Sequence, residues 1–112
     1  MDENTLAFQT SEKNGWTIWS VRGRLDRMTA QAAGDEADKV FAAAQKFAVE
    51  MSGLEYLSSA GIRVLLRLTK RAQAEGKGFA LVAPTGMVSS VLNESRMDMF
   101  ATIYSSEDEL PQ

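Results

Sequence analysis

Residues 50–66 read EMSGLEYLSSAGIRVLL, and within them a strand pattern changes into a helix pattern. The first half ends an apolar, alternating segment, whereas the second half places Ile62, Leu65 and Leu66 at helical spacing. Two hydroxyls, an alanine and a glycine lie between the halves, at residues 58–61. A strand that turns directly into a helix exposes the free N–H groups of the helix N-terminus, which favour anions. The stretch therefore predicts an anion-favouring turn that carries serines.

Strand and helix patterns alternate on both sides of this stretch. An Asn14-Gly15 pair predicts a hairpin between the first two strands, and Thr29 stands where the N-cap of the first helix is expected. The predicted strands are 5–10, 16–22, 46–52, 79–83 and 101–104, and the predicted helices start near 29, 59 and 85, with a further helix start at 105–109. The order β-β-α-β-α-β-α-β predicts an α/β fold with a mixed sheet of about five strands.

Composition narrows the classes of function. The chain has 112 residues, no cysteine, no histidine and a net charge of −3. The commonest general base and metal ligand is thus missing, which argues against an enzyme and gives no sign of a cofactor or metal. No basic cluster indicates nucleic-acid binding. No apolar run is long enough to span a bilayer, and the acidic, polar residues 1–4 are unlike a signal peptide, so we expect a cytoplasmic protein without a membrane partner.

The serines of the central turn allow two interpretations from the residues alone. Ser58 and Ser59 are ordinary helix-capping residues. Alternatively, one of them is phosphorylated and the helix terminus stabilises the added charge. Arg63 follows Ser59 by four residues and shares its helix face, so we hypothesise that it pairs with the phosphate or with an acidic partner surface.

Two motifs carry a resemblance to a known family. The segment EYLSSAGIRVLL, residues 55–66, resembles the signature of the STAS domain, in particular that of bacterial anti-sigma-factor antagonists. The segment VRGRLD, residues 21–26, is similar to the turn that follows the second strand in that family. The resemblance implies the STAS fold, a small mixed sheet flanked by helices, over a single domain that spans residues 1–112.

The resemblance also implies a site. The phosphorylated serine of the family falls on Ser59, and its preceding aspartate falls on Ser58, which is a departure and makes Ser58 the second choice. Asp26 is either a residue that shapes its own turn or a member of the partner interface. The implied partner-binding residues are Asp26, Ser58, Ser59, Ala60, Gly61 and Arg63, with Ala60 and Gly61 expected to keep the docking surface flat.

The function implied by the resemblance is that of an anti-sigma-factor antagonist. The unphosphorylated form binds an anti-sigma factor that is an ATP-using serine kinase, phosphorylation of the serine ends the complex, and a PP2C-type phosphatase restores it. The alternative is a phosphorylation-independent STAS adaptor or scaffold, as in a stressosome or a transporter complex. The oligomeric state is left open between a monomer and a weak dimer.

Overall fold

The computed structural model describes residues 6–112; Thr5, where the first strand is expected to begin, and residues 1–4 lie outside that range. Six strands and three α-helices make up the described chain. Their bounds are β1 Leu6–Lys13, β2 Trp16–Leu25, α1 Ala30–Ala43, β3 Lys46–Glu50, β4 Leu54–Leu57, α2 Ser59–Glu75, β5 Gly78–Val82, α3 Gly86–Glu94 and β6 Thr102–Tyr104, with short 3-10 turns at Met97–Met99 and Glu107–Glu109.

The strands form one mixed sheet in the order β1-β2-β3-β5-β6, with β4 paired to β2 beyond the end of β3. β1 and β2 form an antiparallel hairpin, whose turn residues Asn14 and Gly15 both have positive φ, as a tight hairpin turn requires. All other pairings are parallel. The first half of β2 pairs with β3, and its last residues pair with β4 after a register shift between Gly23 and Arg24.

The α/β class expected from the sequence is confirmed, and the structure adds one strand to the expected number. Residues Leu54–Leu57, which the sequence pattern presents only as an approach to α2, form the four-residue strand β4. This strand exists because the tip of β2 continues past β3 and offers it a partner. The helix expected to start near residue 59 begins at Ser59 and runs to Glu75, where Gly76 ends it in the left-handed conformation.

The three helices supply the residues that cover one face of the sheet. On that face Trp19 and Phe47 stack with ring centroids 6.1 Å apart, and Phe41 of α1 meets Phe47 edge-on at 5.4 Å. All three side chains are buried, as are the inward residues of α2. The indole N–H of Trp19 has no hydrogen-bond partner within the described chain.

The opposite face of the sheet is covered in part by the C-terminal segment. Trp16 and Ile18 lie on this face, opposite to Trp19 and Val21, as the strand pattern predicts. Leu110 is buried against them, and the indole N–H of Trp16 donates to the carbonyl of Pro111 at 2.6 Å. The helix start expected at residues 105–109 is instead a single 3-10 turn.

Among residues 6–112, no helix is both long and apolar enough to cross a membrane. Over the same range, no group of three or more His, Cys, Asp or Glu side chains is placed to hold a metal ion.

Candidate functional site

The two serines at the start of α2 have different environments. Ser58 is the N-cap: its backbone is extended, its N–H donates to the carbonyl of Leu25 at 3.0 Å, and its Oγ accepts from the Gly61 N–H at 3.5 Å. Its side chain is therefore directed back into the first turn, and the residue is half-buried. Ser59 is the first helical residue and is exposed. A reagent or a protein that reaches this turn from solvent therefore meets Ser59 first.

The first turn of α2 has the electrostatic character that the sequence predicts. The first intrahelical bond runs from the Ile62 N–H to the Ser58 carbonyl, so the N–H groups of Ser59 and Ala60 have no intrahelical acceptor. No acidic side chain stands in this turn. The partial positive charge of the helix terminus is thus not offset within the turn itself, and a negative group added there is stabilised.

Gly61 is buried beneath the first turn of α2. A Cβ atom at this position would lie 2.6 Å from Cδ1 of Leu57, 2.9 Å from Cγ of Leu25 and 3.1 Å from the carbonyl oxygen of Leu25. The missing side chain lets the first turn of α2 sit directly on the ends of β2 and β4. Ala60, in contrast, remains partly exposed.

Asp26 shapes the turn between β2 and α1. Its Oδ1 accepts from the N–H groups of Met28 and Thr29, at 2.9 and 3.1 Å, and its Oδ2 lies 3.7 Å from Nε of Arg24. Thr29, the N-cap expected from the sequence, donates through Oγ1 to the Arg24 carbonyl instead of capping α1 with its side chain. Of the two roles considered for Asp26, the structure displays the turn-shaping one.

The Asp26 turn and the serine turn lie side by side. The strands that lead into them, β2 and β4, are paired at Leu25 and Leu57, and the Ser58 N–H donates to the Leu25 carbonyl. The structure thus brings Asp26 to the same end of the sheet as the serines, as the resemblance implies. Exposed Met28 projects from the Asp26 turn.

Arg63 is exposed on α2, one turn after Ser59, and forms no ion pair with any residue in the range 6–112. Further along the helix, the guanidinium groups of Arg67 and Arg71 both bind Oδ1 of Asp38 on α1, at 2.9 and 3.0 Å. This cross-helix cluster was not predicted. Gly34 was its signal in the sequence, because a Cβ atom there would lie 2.9 Å from Nη2 of Arg67.

Comparison with known protein families identifies the family of this chain. A family model described as "Mlab, STAS domain" matches residues 9–103, and the chain therefore belongs to the STAS domain family. A search of curated proteins finds no significant match.

Solved structures agree with this assignment at the level of the fold. An anti-sigma factor antagonist from Mycobacterium paratuberculosis superimposes with a TM-score of 0.87 at 22% identity, over 96% of this chain and 92% of that chain. The anti-sigma factor antagonist SpoIIAA in its unphosphorylated form gives a TM-score of 0.73 at 17% identity, over 91% of both chains. The murine anion transporter Slc26a9 gives a TM-score of 0.69 at 16% identity, over 86% of this chain and 17% of that chain.

These likenesses confirm the STAS fold expected from the two motifs. The six-stranded mixed sheet, with its three helices, is the architecture shared with the anti-sigma factor antagonists. The two serines and Asp26 lie together on one end of this STAS domain. These solved structures are less than 25% identical to this chain, so they establish its fold and not its binding partner.

Proposed function

We propose that this protein is an anti-sigma-factor antagonist controlled by phosphorylation of Ser59. The unphosphorylated form binds an anti-sigma factor that is itself an ATP-using serine kinase. The kinase transfers the γ-phosphoryl group of ATP to Oγ of Ser59, which loses its proton, and ADP leaves. The complex then dissociates, and a PP2C-type phosphatase hydrolyses the phosphoester to restore the binding form.

One observation carries the choice of Ser59. Ser58 holds the N-cap position and its hydroxyl is engaged with the first turn, whereas Ser59 is exposed as the first helical residue. A phosphate on Ser59 leaves the cap intact. A phosphate on Ser58 would have to fit at the half-buried cap, where Oγ accepts from the Gly61 N–H. This difference favours Ser59 and supports the resemblance, in which the phosphorylated residue falls on the same position.

The local electrostatics explain how the modification ends a complex without unfolding the domain. A phosphoserine carries about −1.5 to −2 charges and three acceptor oxygens. The free N–H groups of the first turn and the guanidinium of Arg63, one turn away, stabilise that charge. A partner that covers the serine must desolvate the phosphate, which is unfavourable. The partner-binding surface that we propose comprises Asp26, Ser58, Ser59, Ala60 and Arg63, with the buried Gly61 keeping it flat.

The test uses a serine-kinase anti-sigma factor from the same organism and measures the intact mass after incubation with ATP. We expect one phosphoryl group on the wild-type protein, mapped to Ser59, and none on Ser59→Ala. Ser58→Ala is the matched control: it loses the cap, which costs about 1 kcal/mol, but keeps the acceptor. A phosphate found only on Ser58 would show that Ser59 is not the acceptor. If the kinase phosphorylates a known substrate but adds no phosphate to this protein, control by phosphorylation is wrong.

A second candidate is a phosphorylation-independent STAS adaptor or scaffold. The fold is shared with the anion transporter Slc26a9 as well as with the antagonists. Ser58 also stands where the antagonist pattern has an aspartate. An adaptor forms a complex of the same affinity with or without kinase and ATP. The mass experiment, followed by a binding measurement on the treated protein, separates the two candidates.

In both candidates the protein is a ligand and not a catalyst, and it needs no cofactor. We further propose that it acts in the cytoplasm, without direct contact to nucleic acid or membrane, as a monomer or weak dimer.

A further inference from the structure

A groove runs along the exposed side of α2, beginning one turn after Ser59. Its volume is about 470 Å³. Two rows of side chains border it, each with a spacing of four residues. One row consists of Arg63, Arg67 and Arg71, and the other of Leu66, Lys70 and Ala74. Each row covers about 12 Å of the helix axis.

The cations of this groove are only partly neutralised by the protein itself. Asp38 serves two arginines with a single oxygen, Oδ1, and Arg71 also binds Glu75 at 3.3 Å. Neither Arg63 nor Lys70 has a carboxylate within ion-pair distance in the described range, and both are exposed. The groove is therefore locally basic on a chain whose net charge is −3.

Asp38 also fixes the shape of the groove. It holds the guanidinium groups of Arg67 and Arg71 from the side of α1. Arg67 reaches Asp38 by passing over Gly34, where no side chain obstructs it. Arg67 and Arg71 are thus pre-ordered, and a partner does not have to restrict those two long side chains when it binds.

A groove between two rows of four-residue spacing has the shape into which a ridge of a second helix packs. The half-buried Leu66 and the small, exposed Ala74 give one border of the groove an apolar character, and the unpaired cations lie beside them. We propose that this groove docks an acidic amphipathic helix of the partner protein. Its carboxylates pair with Arg63 and Lys70, and its small apolar residues contact Leu66 and Ala74.

This inference rests on the proposed function in one respect, namely that the protein binds a protein partner through the N-terminal part of α2. Arg63 belongs to both surfaces, since it borders the groove and follows Ser59 by one turn. A phosphate on Ser59 competes with the carboxylates of the docked helix for Arg63. The groove and the serine turn therefore form one continuous surface, and modification at one end weakens binding along it.

The probe is a fluorescein-labelled, helix-forming peptide of about 20 residues, with glutamates along one side and alanines and leucines along the next. Binding to the unphosphorylated protein is measured by fluorescence anisotropy, and the binding surface is mapped by amide chemical shifts. We expect the shift changes to lie along residues 63–74. Affinity should fall as ionic strength rises from about 0.05 to about 0.3 M.

Lys70→Glu should weaken binding by at least about tenfold, since it replaces attraction with repulsion at the groove. The matched control is Lys39→Glu, which makes the same charge change at an exposed position of α1 outside the groove. It should change the affinity by less than about twofold. A peptide of the same composition in scrambled order controls for charge without a helical ridge.

Three results would overturn the inference. The scrambled peptide could bind as tightly as the designed peptide, or Lys39→Glu could weaken binding as much as Lys70→Glu. The amide chemical shift changes could also lie outside residues 63–74. Binding of phosphatidylglycerol vesicles, lost in Lys70→Glu while the peptide does not bind, would assign the groove to a membrane instead. No kinase or phosphate is present, so a failure here leaves the mass experiment on Ser59 unaffected.

Discussion

Replacing Gly61 by alanine tests how closely the first turn of α2 packs against the ends of β2 and β4. In an ordinary helix interior, this change stabilises a protein by about 1 kcal/mol. Here the new Cβ atom would lie 2.6 Å from a methyl of Leu57, 2.9 Å from Cγ of Leu25 and 3.1 Å from a carbonyl oxygen. Both leucines are 2% exposed or less, so neither side chain has free space to move into.

Overpacking of this severity costs about 3 kcal/mol. After the gain in helix propensity, Gly61→Ala should lower the free energy of unfolding by about 2 kcal/mol. Urea denaturation followed by circular dichroism measures this change. The melting temperature should fall by about 8–10 °C.

The matched control is Gly34→Ala, also in a helix and also with a close neighbour. Its Cβ atom would meet only Nη2 of Arg67, the end of a flexible side chain that can move away. We expect the stability of this variant to stay within about 1 kcal/mol of the wild type, since the helix gain offsets a weakened surface ion pair. If Gly61→Ala were as stable as Gly34→Ala, the packing of α2 onto the strand ends would be wrong.

Two further predictions concern the C-terminal segment. The ammonium of Lys13 lies 2.6 Å from Oδ1 of Asp108 and lowers the pKa of this carboxyl by a hydrogen bond and by its charge. The contact is therefore present above the ordinary pKa of an aspartate and is lost as the pH falls through the lowered pKa of Asp108. In an NMR titration the pKa of Asp108 should be higher in Lys13→Met than in the wild type; an unchanged value would contradict the contact. Leu110→Ala should cost about 2–3 kcal/mol and shift the fluorescence of Trp16 to the red, because it uncovers the second face of the sheet. If the emission spectrum and the unfolding midpoint both stay unchanged, Leu110 does not cover that face.

The sequence was most informative where local signals determine structure. The start of α2 could be read because Ser58 provides a cap, and Gly76 is the kind of residue that ends a helix in the left-handed conformation. The hairpin turn could be read for the same reason, since Asn14 and Gly15 tolerate positive φ. Each of these features depends on a few neighbouring residues.

Features that depend on distant residues were harder to predict. The strand β4 was missed because its four residues form a strand only by pairing with the tip of β2, about thirty residues earlier in the chain. The close approach of Gly61 to Leu25 was not predicted, because the pattern of small residues does not reveal which side of the helix faces the sheet. The binding of Arg67 and Arg71 to Asp38 was missed because it depends on how α1 and α2 lie against each other.

The hydrogen bond from the Ser58 N–H to the Leu25 carbonyl has a consequence for folding. It joins two segments far apart in the chain, so the serine turn acquires its geometry only when β2 and β4 have paired. Such long-range pairing is a late event compared with helix formation. A kinase that recognises both turns together would leave a nascent or partly folded chain unmodified, and phosphorylation of Ser59 would then report that folding is complete.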